Sequence, residues 1–106
     1  CVQCDVTSRE QVDNAFAAIE ERWGKVQVLV ANAGITRDGL FVKMSDESWS
    51  SVLDTDLTGA FYAARRAAAG MLRARNGRIV LMSSVSAYAG TPGQVSAAAA
   101  WAPEPR

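Results

Sequence analysis

Asn32, Ala33 and Gly34 follow directly on Val26-Gln27-Val28-Leu29-Val30-Ala31, a short apolar run that stops abruptly. The run is too short for a helix and rich in β-branched residues, so it reads as a buried strand. An open α/β sheet has its ligand crevice outside the carboxyl ends of its strands. At such an end Asn32 offers both a donor and an acceptor. Gly34, lacking a Cβ, lets the backbone approach a flat or bulky group. The same three residues also suit a strand followed by a plain turn. A second strand, Arg78-Ile79-Val80-Leu81-Met82-Ser83-Ser84, ends in polar residues at the same sheet edge. Ser84 there either serves a ligand or caps its own turn. Two carboxylates complete the candidates. Asp5 can support a helix N-terminus by its charge, and Asp56 can be solvated or internally bonded.

Other chemistries are excluded by composition. The chain has 0 His, which removes a His-based metal site and a Ser-His-Asp triad, and no metal is expected. Its 11 basic and 11 acidic residues balance, so neither nucleic acid nor an anionic membrane surface is an expected partner. No apolar stretch approaches the roughly 20 residues of a membrane helix. Cys1 and Cys4 are too few and too close to act as a disulfide framework, so a reduced, cytoplasmic setting is expected. With 106 residues, 49% of them apolar, the chain can bury the core of one small domain. It opens on Cys1 in what reads as mid-strand, the expectation for a fragment, or an incomplete gene model, of a longer protein.

These candidates need elements to position them. Cys1–Cys4 reads as a strand. Thr7-Ser8-Arg9-Glu10 fits a capping box with Thr7 as N-cap. Val12, Phe16, Ile19 and Trp23 then recur at helical spacing up to Gly24. Ser45 or Asp46 can cap a long helix over about 46–75. Its apolar face runs from Trp49 through Val52, Leu57, Phe61 and Ala68 to Leu72, and Asn76-Gly77 ends it. The stripe suits either core packing or a helix partner. The tail from Ser96 to Arg106, rich in Ala and Pro, reads in two ways. It could be a short helix capped by Ser96 and broken by Pro103, or the product of a shifted reading frame, which is preferred.

Asn32-Ala33-Gly34, Ile35-Thr36-Arg37-Asp38 and Met44-Ser45-Asp46-Glu47-Ser48-Trp49 together resemble the short-chain dehydrogenases/reductases. The likeness is strongest to the 3-oxoacyl-[acyl-carrier-protein] reductases of fatty-acid biosynthesis. It runs over about residues 1–95, read as the central part of the domain, and leaves 96–106 as a tail unlike the family. The resemblance implies an α/β fold with a Rossmann-like, doubly wound parallel sheet. Only part of it is represented here: Cys1–Cys4, Val26–Ala31 and Arg78–Ser84 as the third to fifth strands, and the helices between them. It implies NADPH as cofactor, with NAD still open. The expected substrate is acyl-carrier-protein-linked or another small ketone, and the expected state is a homo-oligomer, a tetramer in the family. Carried over by position, Asp5, Val6, Asn32, Ala33 and Gly34 would bind the cofactor. Ser84 would donate a hydrogen bond to the substrate carbonyl, where negative charge grows during hydride transfer. Asp56 stands where the family has Asn, which holds a water of the proton relay through its backbone carbonyl and whose side chain helps hold the helix-to-loop geometry; Asp56 keeps the carbonyl but replaces the amide with an acceptor-only carboxylate.

Two family signatures are missing from this sequence. Proton delivery in the family belongs to a Tyr whose pKa, about 10 unperturbed, is lowered by the Lys of a Tyr-x-x-x-Lys motif. Here Tyr62 is followed at that offset by Arg66 and Tyr88 by Pro92, while Ala97 and Trp101 align with the Tyr and Lys positions. The Gly-rich phosphate loop is not in the sequence either. The expected function is therefore part of an NAD(P)H-dependent oxidoreductase, inactive by itself. The alternatives are a dehydrogenase of another small alcohol or ketone, or a catalytically dead interaction module that pairs through its long helix.

Overall fold

The computed structural model describes residues 1–101 of the 106, so Pro103 and the last part of the tail lie outside the described residues. Helix α1 (Arg9–Trp23) begins at Ser8, whose extended backbone lets its side chain accept from the Gln11 N–H at 3.3 Å. The expected cap, Thr7, lies one residue too early. Its hydroxyl donates instead to Asp5 Oδ1 at 2.8 Å. Gly24 ends the helix at φ +85°, returning its N–H to the Glu20 carbonyl.

Strands β1 (Val28–Ala31) and β2 (Arg78–Leu81) pair in parallel, in the register Val28–Arg78 to Ala31–Leu81. Both are shorter than the runs read from sequence. The ladder is closed by Arg78 N–H to the Gln27 carbonyl at 2.9 Å and by Met82 N–H to the Ala31 carbonyl at 3.0 Å. Parallel neighbours require a crossover, which is usually helical. Here it comprises α2 (Asp46–Val52), a π-helical segment (Leu53–Gly59) and α3 (Ala60–Ala74), running without a break. Ser45 caps α2 by accepting from the Ser48 N–H.

The crossover thus has the expected extent, but its middle is not α-helical. Ser51 and Thr55 hydroxyls donate back to the Ser48 and Ser51 carbonyls, at 3.0 and 2.9 Å. Such back-bonding competes with the ordinary helical pattern and opens the turn. At the far end Arg75, rather than Asn76 or Gly77, takes the left-handed conformation at φ 51°. Gly77 is used for close approach instead, because a Cβ there would collide with Met71.

Beyond β2 come α4 (Ser86–Ala89) and α5 (Val95–Trp101). Ser96 lies inside α5, fully buried, rather than capping it. Two clusters form the core. Val12 and Phe16 of α1 meet Ala67 and Met71 of α3, with Cys4, Val26 and Leu29 packed on them. Val52 meets Ala97 and Ala100 of α5, with Ile35 and Leu53 alongside. One face of the small sheet stays open, exposing Val28, Val30 and Val80. This is a partial doubly wound α/β arrangement.

Cys1–Cys4 corrects the sequence reading, since it joins no ladder. Side chains hold this segment instead. Cys4 packs on the α1–α3 cluster, and the Asp5 N–H donates to Gln11 Oε1 at 2.9 Å.

Charge also ties α1 to α3. Arg66 Nη2 lies 2.8 Å from Glu20 Oε2, and Lys25 Nζ reaches the same oxygen at 3.0 Å. Hydrogen bonds from Arg66 first, and then Lys25, hold the Glu20 carboxyl below the usual carboxylate range. A lowered folded-state pKa gives stability that is present above the unfolded value, about 4.3, and is lost as pH falls through the folded value. Glu20→Gln is expected to be less stable than wild type at neutral pH. The difference should shrink as pH falls below about 5 in urea unfolding curves. A difference independent of pH would contradict this reading of the Glu20 pair.

Candidate functional site

Because β1 and β2 run parallel and in register, both end at one edge. The turn Asn32–Ile35 and the segment after Leu81 leave from it side by side. Beside the end of β1 is a pocket of about 150 Å³, lined among others by Val6, Asn32, Ala33, Gly59, Ala60 and Ala63. Its apolar wall comes from the π-helical segment and the start of α3. Gly59 makes it possible for Val6 to lie against that segment, since a Cβ on Gly59 would stand 2.8 Å from Val6 Cγ2. Residues far apart in sequence, Val6, Asn32 and Ala33, thus converge on one small cavity.

Gly34 is just outside that cavity, backed by Asp56. A Cβ on Gly34 would lie 3.5 Å from Asp56 Oδ1 and 3.6 Å from Oδ2, an ordinary contact. Asp56 is only 7% exposed. Its Oδ1 accepts from the Ile35 N–H at 2.8 Å, while Oδ2 is buried without a partner among the described residues. Burial pushes this carboxyl above the usual Asp value, and the Ile35 N–H only partly offsets that. Gly59 and Ala63 escaped the sequence reading, while Ile35 and Ala60 are read there as a motif residue and a helix-face residue, not as part of the site. The mixed polar and glycine run Asp54-Thr55-Asp56-Leu57-Thr58-Gly59 inside a long helix was the available signal for an irregular turn.

The remaining candidates stand apart. Asp5 is exposed and does not line the pocket. Its Oδ1 accepts the N–H and hydroxyl of Thr7, at 2.9 and 2.8 Å, and those bonds hold its carboxyl below the usual range. Ser84 is half-buried at the end of β2, where its Oγ accepts from the Ser86 N–H at 3.2 Å, closing its own turn. Ser83 Oγ donates to the Trp101 carbonyl at 3.0 Å, which links the end of β2 to α5. Ala97 is fully buried against Val52, and Trp101 lies one turn further along α5. Among the described residues no group of three or more His, Cys, Asp or Glu could hold a metal ion. No helix among them is long and apolar enough to cross a membrane.

Residues 1–102 match the family model for short chain dehydrogenase. Among curated proteins, the chain is 46% identical over 99 residues to the 3-oxoacyl-[acyl-carrier-protein] reductase MabA of Mycobacterium avium, covering 93% of this chain and 39% of that protein. The MabA of Mycobacterium tuberculosis is 44% identical over 98 residues, covering 92% and 40%. The FabG of Thermotoga maritima, a reductase of the same name, is 41% identical over 95 residues, covering 90% and 39%. The chain therefore spans about 40% of the length of the curated relatives it matches.

The contact between Gly59 and Val6 can be tested directly. Adding a methyl at Gly59 removes a helix-interior glycine, a gain of about 1 kcal/mol. It also drives a Cβ into Val6, and overpacking costs about 1–3 kcal/mol. Gly59→Ala is therefore expected to lower stability by about 1 kcal/mol and to shift the Val6 methyl resonances. A more stable variant with unmoved Val6 methyls would show that Val6 does not pack where described.

Proposed function

The chain belongs to the short-chain dehydrogenase family, and from that premise we propose that it is the central part of an NAD(P)H-dependent 3-oxoacyl-[acyl-carrier-protein] reductase. The enzyme would convert a ketone, carried as an acyl-carrier-protein thioester, to a hydroxyl by hydride transfer. The observation that carries the reading is the convergence of Val6, Asn32 and Ala33 on one pocket at the carboxyl end of β1. Opposite-edge placement would have left these positions without a common ligand.

The residues present fit one end of a dinucleotide and not the other. A drug-sized ligand site has roughly 300–1,000 Å³, whereas this pocket has about 150 Å³, room for a single ring system. Its apolar alanine and valine walls suit the flat face of adenine. Asn32 can pair with a polar edge, and Gly34 keeps the approach open. Asp5, one residue before Val6 but outside the pocket lining, has a fixed carboxylate that would hydrogen-bond an amine or hydroxyl, not a phosphate. When bound, the nicotinamide end would supply the hydride. Ser84 would donate to the carbonyl oxygen that gains negative charge, which requires its Oγ to turn its proton outward while still accepting from Ser86. Proton delivery has no candidate here, because Ala97 and Trp101 carry neither a phenol nor an ammonium. The exposed Leu57, Phe61 and Leu72 along the crossover would serve to pair copies of the parent enzyme.

Nuclear magnetic resonance with NADPH tests the assignment. The amides of Val6, Asn32 and Ala33 are expected to shift at about millimolar ligand, the weak affinity of a partial site. No NADPH should be consumed with an acetoacetyl thioester. Shifts confined to other residues would overturn the adenosine assignment. Turnover within a few-fold of an intact relative would overturn the missing proton donor.

A further inference from the structure

Ser86, the first residue of α4, is held at three points. Its N–H donates to Ser84 Oγ at 3.2 Å, and its carbonyl accepts from the Gly90 N–H at 3.1 Å. Its hydroxyl accepts from Thr91 Oγ1 at 2.9 Å and donates to Gln94 Oε1 at 3.4 Å. Thr91 and Gln94 are themselves joined, since the Gln94 N–H donates to the Thr91 carbonyl at 3.1 Å. The loop after β2 therefore leaves Ser84, passes through α4 and curls back until its far limb grips the Ser86 hydroxyl. Gly90 at φ +68° and Gly93 at φ +82° permit that return, because side chains disfavour such backbone. The loop is pinned from outside as well: the Gly39 N–H donates to the Gly93 carbonyl at 2.9 Å.

These bonds bear on Ser84. A serine hydroxyl has one donor and two acceptor sites, and its proton rotates to suit its surroundings. A bond from the Ser86 N–H engages one lone pair, so it fixes the oxygen and leaves the proton to donate elsewhere. The aim of that N–H is not secured by α4 itself, which has four residues, too few to be stable by their own turn. No residue of α4 is buried, and Ser86 alone among them makes side-chain hydrogen bonds. The Ser86 hydroxyl is thus what ties the start of α4 to the rest of the loop.

We propose that Ser86 is the positioning residue for Ser84: its hydroxyl, gripped by Thr91 and Gln94, fixes its N–H, and that N–H holds the Ser84 side chain in one rotamer. The use of the Ser84 proton on a substrate carbonyl rests on the proposed function, whereas the hold on Ser84 does not. In that function the hold has a clear purpose. A donor already oriented needs no reorganisation as negative charge develops on the carbonyl oxygen.

The test is the rotamer of Ser84 in the full chain, read from its α–β proton couplings with no ligand present. In wild type the two couplings should be those of a single staggered well. Ser86→Ala removes both hydroxyl bonds, and the couplings should collapse toward a rotamer-averaged value. Ser86→Thr keeps the hydroxyl and should restore the wild-type pair. Thr91→Val removes only the accepted bond and should move the couplings the same way by less. Amide exchange at Gly90 and Gln94 reports the loop separately. If Ser86 merely stabilises the loop, Ser86→Ala will speed those amides and leave the Ser84 couplings unchanged, which overturns the proposal. Couplings already averaged in wild type, or averaged equally in Ser86→Thr, overturn it too. Should Ser86→Ala lose the exchange protection of β1 and β2, Thr91→Val decides alone, and unchanged couplings there overturn it. Because no ligand enters the measurement, a chain that fails to respond to NADPH leaves this result standing, and a fixed Ser84 does not rescue the ligand assignment.

Discussion

Everything at the candidate site depends on the parallel pairing of β1 with β2. Parallel strands cannot be joined by a tight turn, so the chain between Ala31 and Arg78 must travel back along the sheet. It does so as one long helical crossover that covers one face. The same pairing sends both strand ends to one edge, where Asn32 and Ser84 emerge from segments 50 residues apart in sequence. Had the strands paired antiparallel, the two polar ends would face opposite edges and no shared crevice would exist.

The crossover then contributes a feature that a regular helix would not. π-helical turns occur frequently at functional positions, and here the turn rotates Asp56 inward and brings Gly59 against Val6. A buried carboxyl and a glycine contact together join the N-terminal segment, the turn after β1 and the crossover. Residues 1–4 gain their place through this packing and through Cys4 on the α1–α3 cluster, without a ladder of their own. Glu20 and Asp56, both carboxylates, respond to acid in opposite senses, because one is surrounded by cations and the other by apolar walls.

Much of this was legible in sequence where a local pattern had one strong reading. The β-branched run before Asn32, the helical spacing of Val12 and Phe16, and Ser45 ahead of Asp46 all specify their elements with little tertiary help. The family signature Asn32-Ala33-Gly34 carried the recognition. What could not be read was set by partners distant in sequence. Cys1–Cys4 has strand-like residues, but a strand exists only where another strand accepts its bonds. The cap is Ser8 and not Thr7 because the helix begins at Arg9, one residue later than the capping-box pattern places it, while the Thr7 hydroxyl donates back to Asp5. The π-helical turn depends on side chains bonding back to carbonyls, and the burial of Asp56 depends on the post-β1 turn lying against it. Neither leaves a periodic trace.

Amide hydrogen exchange on the whole chain tests the central claim, that β1 and β2 form the ladder on which the site is built while residues 1–4 belong to no sheet. The inward-facing amides of Val28–Ala31 and Arg78–Met82, with Arg78 and Met82 among them, are expected to exchange most slowly. Those of Val2–Cys4 should exchange at nearly the rate of an unstructured chain. Equal, strong protection of Val2–Cys4, or none at Arg78 and Met82, would contradict it.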